Sequence, residues 1–595
     1  MRSGWNWAWW VGKWKIHSVV WTGGLVLWTV YALGFPCTAM AQSQAERGAD
    51  LRVWTVVETR RVLREELPGE LRPVNLAAAR REWESFQVLL RADRPVPGIS
   101  ISLSELAGPH GATIGRENVR IFRQHYLHIT EGTYRNDQFV PGWYPDPLIP
   151  AEHPLTRQPL TGGKYVAMPF DLPAGETHGF FVDVYVPEGT PAGTFRGSVN
   201  VRQQEQVLAQ VPVELEVWDF ELPRVSTLKT AFGSPAGRLR DYYRQRAEEG
   251  IEPEPADWAL VERQCAELVS RHRINAVPPG AWLRPVEKPD GTFTFPAERI
   301  AALKEFMANY HVNAIQIPHP RSVVKDPEQE KARLVAWLKA FDELAAALED
   351  PNLIFYTYLR DEPNDPEAYE YVRQWGRVIR QAKSVVKVLV VEQPQPQDPK
   401  WGDLYGAVDI WCPLFCLFEE EPARARLQLG ETIWTYTALC QGRLKSPWWH
   451  IDYPLLHYRV PAWISWRFGI TGLLYWGGMS YWRQVSDPWV ESWTYGRRET
   501  GRGLVYHGEG TLVYPARPVG YDGIVCSLRL KALRDSIEDY EYLAILERLG
   551  KREEALKIVL PLATSWFEWE PDPGKYLEAR AQLARLIITS RSSRN

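Results

Sequence analysis

An all-β sandwich followed by a (β/α)8 barrel is the architecture that the sequence predicts, on three observations. From residue 51 to about 223, short runs of β-branched and apolar residues are divided by Pro and Gly, the pattern of strands closed by turns. After Pro223, short apolar segments alternate with long amphipathic stretches, the rhythm of β/α units on a parallel sheet. Eight such segments follow one another, at 227–232, 274–277, 312–317, 353–359, 387–391, 408–411, 432–437 and 470–476. Eight is the number that closes a barrel.

At the amino terminus, Arg2, Lys13 and Lys15 precede an uncharged, largely apolar run over 19–35, and Ala39-Met40-Ala41 supplies a small-x-small cleavage pattern. Residues 1–41 therefore read as an export signal, which predicts a periplasmic or secreted protein, or a membrane-anchored one if the segment is retained. No stable membrane insertion is expected after cleavage. Residues 42–50 are a polar linker. Cleavage leaves Cys265, Cys412, Cys416, Cys440 and Cys526, an odd number that implies no complete disulfide framework. Cys412 and Cys416 have no His nearby, and no metal or cofactor is expected.

The sandwich, residues 51–223, is expected to hold strands at 85–90, 179–186, 194–201 and 211–217, with 187–193 (Pro-Glu-Gly-Thr-Pro-Ala-Gly) closing a hairpin. Residues 126–144, rich in aromatics, read as a long irregular loop. In the barrel, residues 224–550, helices are expected at 257–272, 296–310, 327–348, 366–383 and 453–466, and a last helix at 527–549 whose Leu530, Leu533, Ile537, Tyr540 and Leu543 mark a core face. The connection over 394–407 is short and rich in Pro and Gln. Residues 551–595 form a helical appendage.

A formal charge of -4 gives no bulk basicity for nucleic acid. The 28 Trp exceed ordinary usage, and aromatic faces in a cleft can stack on sugars. Chemistry on a barrel belongs at the carboxyl ends of its strands. The segment at 353–359 runs directly into Arg360-Asp361-Glu362-Pro363; Glu392 follows the next, and Asp452 lies in the loop after 432–437. Two adjacent carboxylates, read as a buried pair, can divide the roles of proton donor and charge stabiliser. The 432–437 segment ends in Trp434-Thr435-Tyr436-Thr437, without the second acid that a double-displacement glycosidase needs about 5 Å from the first. Adjacent acids instead suit substrate assistance, in which a 2-acetamido carbonyl oxygen attacks the anomeric carbon. Consecutive strand side chains point oppositely, so this chemistry requires the chain to turn at Glu362.

Several stretches in one order resemble glycoside hydrolase family 123: Tyr358-Leu359-Arg360-Asp361-Glu362-Pro363, Trp434-Thr435-Tyr436-Thr437, Ile451-Asp452-Tyr453-Pro454, Gly469-Ile470-Thr471-Gly472 leading to Tyr475-Trp476, and the helix opening at Ser527. Residues 80–88, with Glu82, Glu84 and Ser85-Phe86-Gln87, resemble that family's amino-terminal β-sandwich. The resemblance implies a retaining, exo-acting β-N-acetylgalactosaminidase acting on a glycan or glycoconjugate. By that resemblance Asp361 is the acetamide stabiliser and Glu362 the general acid/base. Tyr436 is the candidate donor to the acetamide oxygen, with Tyr358 beside it in the same site, and Trp476 the stacking wall. Asp452 either binds sugar hydroxyls or caps the helix near Tyr453, and Glu392 is a hydrogen-bond partner. Two alternatives stand beside this expectation: a noncatalytic carbohydrate-binding surface protein, and a glycosidase of other specificity using Glu392 or Asp452 as a second carboxylate.

Overall fold

The computed structural model describes residues 51–442, 444–482, 485–495 and 503–592. The expected export segment and linker, 1–50, lie outside the described residues. The described chain belongs to one compact unit.

Two β-sheets come first. One has five antiparallel strands, in the order Leu51–Val57, Glu82–Ala92, His178–Val186, Val119–Ile129 and Gly142–Pro150. The other follows the path Val74–Arg80, Gln206–Glu221, Gly193–Gln203, Val96–Leu103 and Phe170–Leu172. Along Gln206–Glu221, Val211, Val213, Leu215 and Val217 are buried and the residues between them exposed, the alternation of a sheet with one wet face. Their buried faces meet Phe86, Val88 and Leu90 of the first sheet in a shared apolar core.

One expectation fails in this region and another holds over a shorter span. Residues 187–193 do not close a hairpin: the strand before them lies in one sheet and the strand after them in the other. The segment arches between sheets, which lets both strands turn their apolar faces into the common core. The expected irregular loop over 126–144 is shorter than predicted: its ends belong to Val119–Ile129 and Gly142–Pro150, which pair with each other, and 130–141 is irregular.

The third sheet is parallel and nearly closed. Its strands are β1 (Lys229–Ala231), β2 (Ala314–Gln316), β3 (Ile354–Asp361), β4 (Val386–Val391), β5 (Ile410–Trp411), β6 (Thr432–Tyr436) and β7 (Gly472–Leu474), in the order β1-β7-β6-β5-β4-β3-β2. The expected strand at 274–277 makes no ladder. Asn275 stands there instead. Its N–H donates to Thr230 Oγ1 at 2.8 Å, its Nδ2 to the Ala314 carbonyl at 2.8 Å, and its Oδ1 accepts from the Asn313 and Ala314 N–H groups at 2.8 and 3.1 Å. Asn275 thus joins the open edges of β1 and β2, its backbone N–H reaching β1 and its side chain reaching β2.

Helices occupy each expected stretch, and Pro235–Glu248 and Glu420–Gln428 are additional. The helix Leu528–Arg548 departs most from its sequence pattern. It is buried on every side from Leu528 to Leu546, charged residues included. Lys531 and Arg534 pair with Asp183 at 2.5 and 3.1 Å, Arg529 with Asp146 at 2.9 Å, and Asp539 with Arg459 at 2.7 Å. Glu82 accepts from the Tyr542 hydroxyl. The contacts through Asp146, Asp183 and Glu82 dock the first sheet on the barrel, while Asp539–Arg459 joins two helices of the barrel half, and a buried ion pair broken on one side costs about 3–5 kcal/mol.

Candidate active site

The site is built by two local irregularities at the end of β3. Tyr356 and Tyr358 face the barrel interior with Leu389 and Val391, while Phe355 and Leu359 pack outward under the helices. Regular alternation would next send Arg360 inward and Asp361 outward. The register against β4 slips by one residue at this point: Tyr358 pairs with Leu389, Arg360 with Val390 and Asp361 with Val391. This bulge at Leu359 returns Asp361 to the face of Tyr358. The Tyr358 hydroxyl donates to Asp361 Oδ1 at 2.7 Å.

Glu362 then has φ = 38°, a left-handed conformation uncommon outside glycine. The chain turns there, as the sequence requires, and Pro363 leads it away. The Tyr436 hydroxyl, from the end of β6, donates to Glu362 Oε1. Consecutive carboxylates therefore sit at one barrel mouth, each with its own phenol. Burial first, and the adjacent carboxylate second, push both phenols well above their ordinary range, so both remain proton-bearing donors. Both acids are exposed. This corrects the expected buried pair, because the bulge and turn carry them out to the rim.

His319, at the end of β2, was not singled out by sequence. Its Nδ1 accepts from the Arg321 N–H at 3.1 Å, which leaves Nε2 to donate to the Leu359 carbonyl at 3.2 Å. It thereby supports the bulge. Gln397, in the Pro/Gln-rich connection, was also missed. Its Nε2 lies 2.7 Å from Glu392 Oε2, 3.0 Å from Asn364 Oδ1 and 3.3 Å from the Pro363 carbonyl, tying Glu392 to the turn that carries Glu362. Glu392 is 3% exposed. Burial above all, with a contribution from the Glu362 charge, pushes its carboxyl up to about 7 against the opposing bonds from Gln397 and Gln393.

Asp452 is engaged elsewhere. It accepts from the Thr133 N–H at 2.8 Å, the Thr133 hydroxyl at 2.6 Å and Asn136 Nδ2 at 3.0 Å, while the following helix starts only at Leu456 and has no side-chain cap. Asp452 thus clamps the 130–141 loop onto the barrel. Arg135 of that loop donates to the Gln441 carbonyl at 2.5 Å, and Asp137 pairs with Lys445, so the loop runs along the rim that follows β6. Trp476, half-buried just past β7, donates through Nε1 to buried Glu509 and packs 4.9 Å from Tyr481. Cys416 lies not with Cys412 but 3.6 Å, sulfur to sulfur, from Cys440. Among the described residues, no group of three or more His, Cys, Asp or Glu could hold a metal ion.

Residues 311–546 match the model described as glycoside hydrolase 123, catalytic domain. The chain carries a family 123 catalytic domain, and it is a glycoside hydrolase. That domain takes in β2 to β7 and every candidate site residue, and a glycan substrate follows from it. Among solved structures, a family 123 glycoside hydrolase from Clostridium perfringens, described with the hydrolysis of glycolipid glycans, shares 14% identity over 91% of this chain and 98% of its own at a TM-score of 0.58. This likeness shows a common fold. A family 39 glycoside hydrolase from Bacteroides cellulosilyticus aligns at 9% identity over 80% of this chain and 82% of its own, with a TM-score of 0.28. No curated protein matches by sequence. No helix among the described residues is long and apolar enough to cross a membrane.

Proposed function

We propose that this family 123 enzyme is a retaining exo-glycosidase that removes terminal β-linked N-acetylgalactosamine by substrate assistance. The observation that carries the proposal is the bulge-and-turn pair at Leu359 and Glu362, which brings consecutive acids to one barrel mouth. Asp361 accepts the acetamide N–H and stabilises the positive charge as the acetamide oxygen attacks the anomeric carbon. Glu362 gives its proton to the departing glycosidic oxygen. An oxazolinium forms with inversion. Glu362, now a carboxylate, takes a proton from water as that water attacks the anomeric carbon, and the second inversion restores the starting configuration.

Tyr436 is proposed to turn its hydroxyl from Glu362 to the acetamide oxygen when sugar is bound, and Trp476 to stack on the sugar face. Asp452, held by Thr133 and Asn136, does not suit the role of nucleophile. Neither does Glu392, whose carboxyl keeps its proton up to about pH 7. The galacto configuration rests on the resemblance in sequence. The frame is proposed as a (β/α)8 barrel in which 274–277 takes the place of the second strand, preceded by a β-sandwich. Export through residues 1–41 would bring the enzyme to extracytoplasmic glycoconjugates.

The test is hydrolysis of two aryl β-galactosides that differ only in a 2-acetamido or 2-hydroxy substituent, with the product anomer followed by NMR. Cleavage of the first with retention, and none measurable of the second, is expected. Equal rates, or an inverted product, would overturn the proposal.

A further inference from the structure

A cavity of about 330 Å³ opens between the strand Val119–Ile129 and the helix Trp258–Arg271. None of the barrel-mouth residues lines it. Six cationic side chains reach it against three carboxylates. The carboxylates are already paired: Asp183 with Lys531 and Arg534, Glu267 with Arg271 at 2.7 Å, and Glu152 with Arg116 and with Arg157 at 3.0 Å. Arg120 has no carboxylate partner among the described residues. Its Nη1 donates only to the Glu117 and Val119 carbonyls, at 2.6 and 2.9 Å.

Polar atoms around the cavity are also unmatched. Arg120 Nε and Arg157 Nη1 are buried donors with no hydrogen-bond partner among the described residues. Burial, and then the neighbouring Arg157 and Arg271, hold Arg120 down to about 10, the signature of a desolvated cation facing its own kind. One acceptor is unmatched as well. The His272 Nδ1 lies 2.7 Å from the Leu268 carbonyl and donates to it, so the buried Nε2 presents a lone pair without a partner. Ile101, Leu103 and Met168 supply apolar wall. Arginine forks suit carboxylate or phosphate oxygens, and the His272 acceptor suits a hydroxyl donor. The volume lies at the small end of ligand pockets. We propose that this cavity is a second ligand site, separate from the barrel mouth, for a monosaccharide-sized hydroxylated anion, that is, a sugar acid or a sugar phosphate.

The test is calorimetric titration of the whole protein at low salt with glucuronate, glucose 6-phosphate, glucose and inorganic phosphate. One of the two anionic sugars is expected to saturate with a Kd of about 1 mM or tighter, and glucose and phosphate to bind at least about tenfold more weakly. Arg120→Met should weaken the anionic sugar at least about tenfold and leave hydrolysis at the barrel mouth unchanged; if that variant does not fold, Arg157→Met serves. Which sugar binds tells carboxylate from phosphate. Binding of neither shows a cavity occupied by water alone and overturns the proposal. Phosphate binding as tightly as the sugar, or sugar binding unchanged in both variants, overturns it equally.

Discussion

The hydroxyl of Tyr436, at the end of β6, donates to Oε1 of Glu362, at the end of β3. The bond spans the barrel mouth and holds the proposed proton donor by a group that cannot itself ionise at working pH. Tyr436→Phe removes this donor and the one proposed for the acetamide oxygen. A fall in kcat of about 10²-fold is expected, with little change in KM. Tyr358→Phe, which acts only by positioning Asp361, should cost about tenfold. Steady-state kinetics on an aryl 2-acetamido glycoside check both, and a loss smaller than twofold in Tyr436→Phe would remove the assigned role.

Glu362 holds φ = 38° without being glycine, and strain of this kind costs about 1 kcal/mol or more. Function keeps the side chain there, so stability should improve when it is relieved. Glu362→Gly is predicted to be inactive yet about 1 kcal/mol more stable than Glu362→Ala, by denaturant unfolding of the two variants. An alanine variant of equal or greater stability would show that the turn is unstrained.

The two irregularities also mark what was legible in the sequence. Strand alternation and Pro363 demand a turn at Glu362, and that turn is present. The bulge at Leu359 was not legible, because it depends on a ladder with β4 and on His319 beneath it, and neither leaves a local pattern. The expected second strand was not legible as irregular for a similar reason: Ile274-Asn275-Ala276-Val277 is apolar enough for a strand, but Asn275 meets β2 through its side chain instead of a backbone ladder. Turn residues such as those of 187–193 suit an arch as well as a hairpin. Asp452 looked like a cap or a sugar ligand because its partners, Thr133 and Asn136, lie more than 300 residues away. The burial of the charges on Leu528–Arg548 was not legible for the same reason, since Asp146 and Asp183 belong to distant strands.

Glu392 makes stability depend on pH. Its carboxyl is raised from 4.5 to about 7 in the fold, so between these values the folded chain holds a proton that the unfolded chain releases. The stabilisation is complete below pH 4.5 and lost as pH rises through about 7. Glu392→Gln keeps an acceptor for Gln397 and cannot ionise. The wild-type protein should therefore lose about 2–3 kcal/mol relative to this variant between pH 4.5 and 7.5, read from denaturant unfolding across that range. A constant difference would contradict the role given to burial.

Substrate assistance makes the acetamide oxygen the nucleophile, and the most direct measurement varies that oxygen alone. Aryl β-galactosaminides bearing N-acetyl, N-fluoroacetyl, N-difluoroacetyl and N-trifluoroacetyl groups differ in how readily the carbonyl attacks, while the leaving group and ring stay fixed. If Asp361 and Glu362 act as proposed, kcat falls steeply with each added fluorine. A kcat that does not change across the series would mean that an enzyme carboxylate or water attacks the sugar, and would contradict the mechanism.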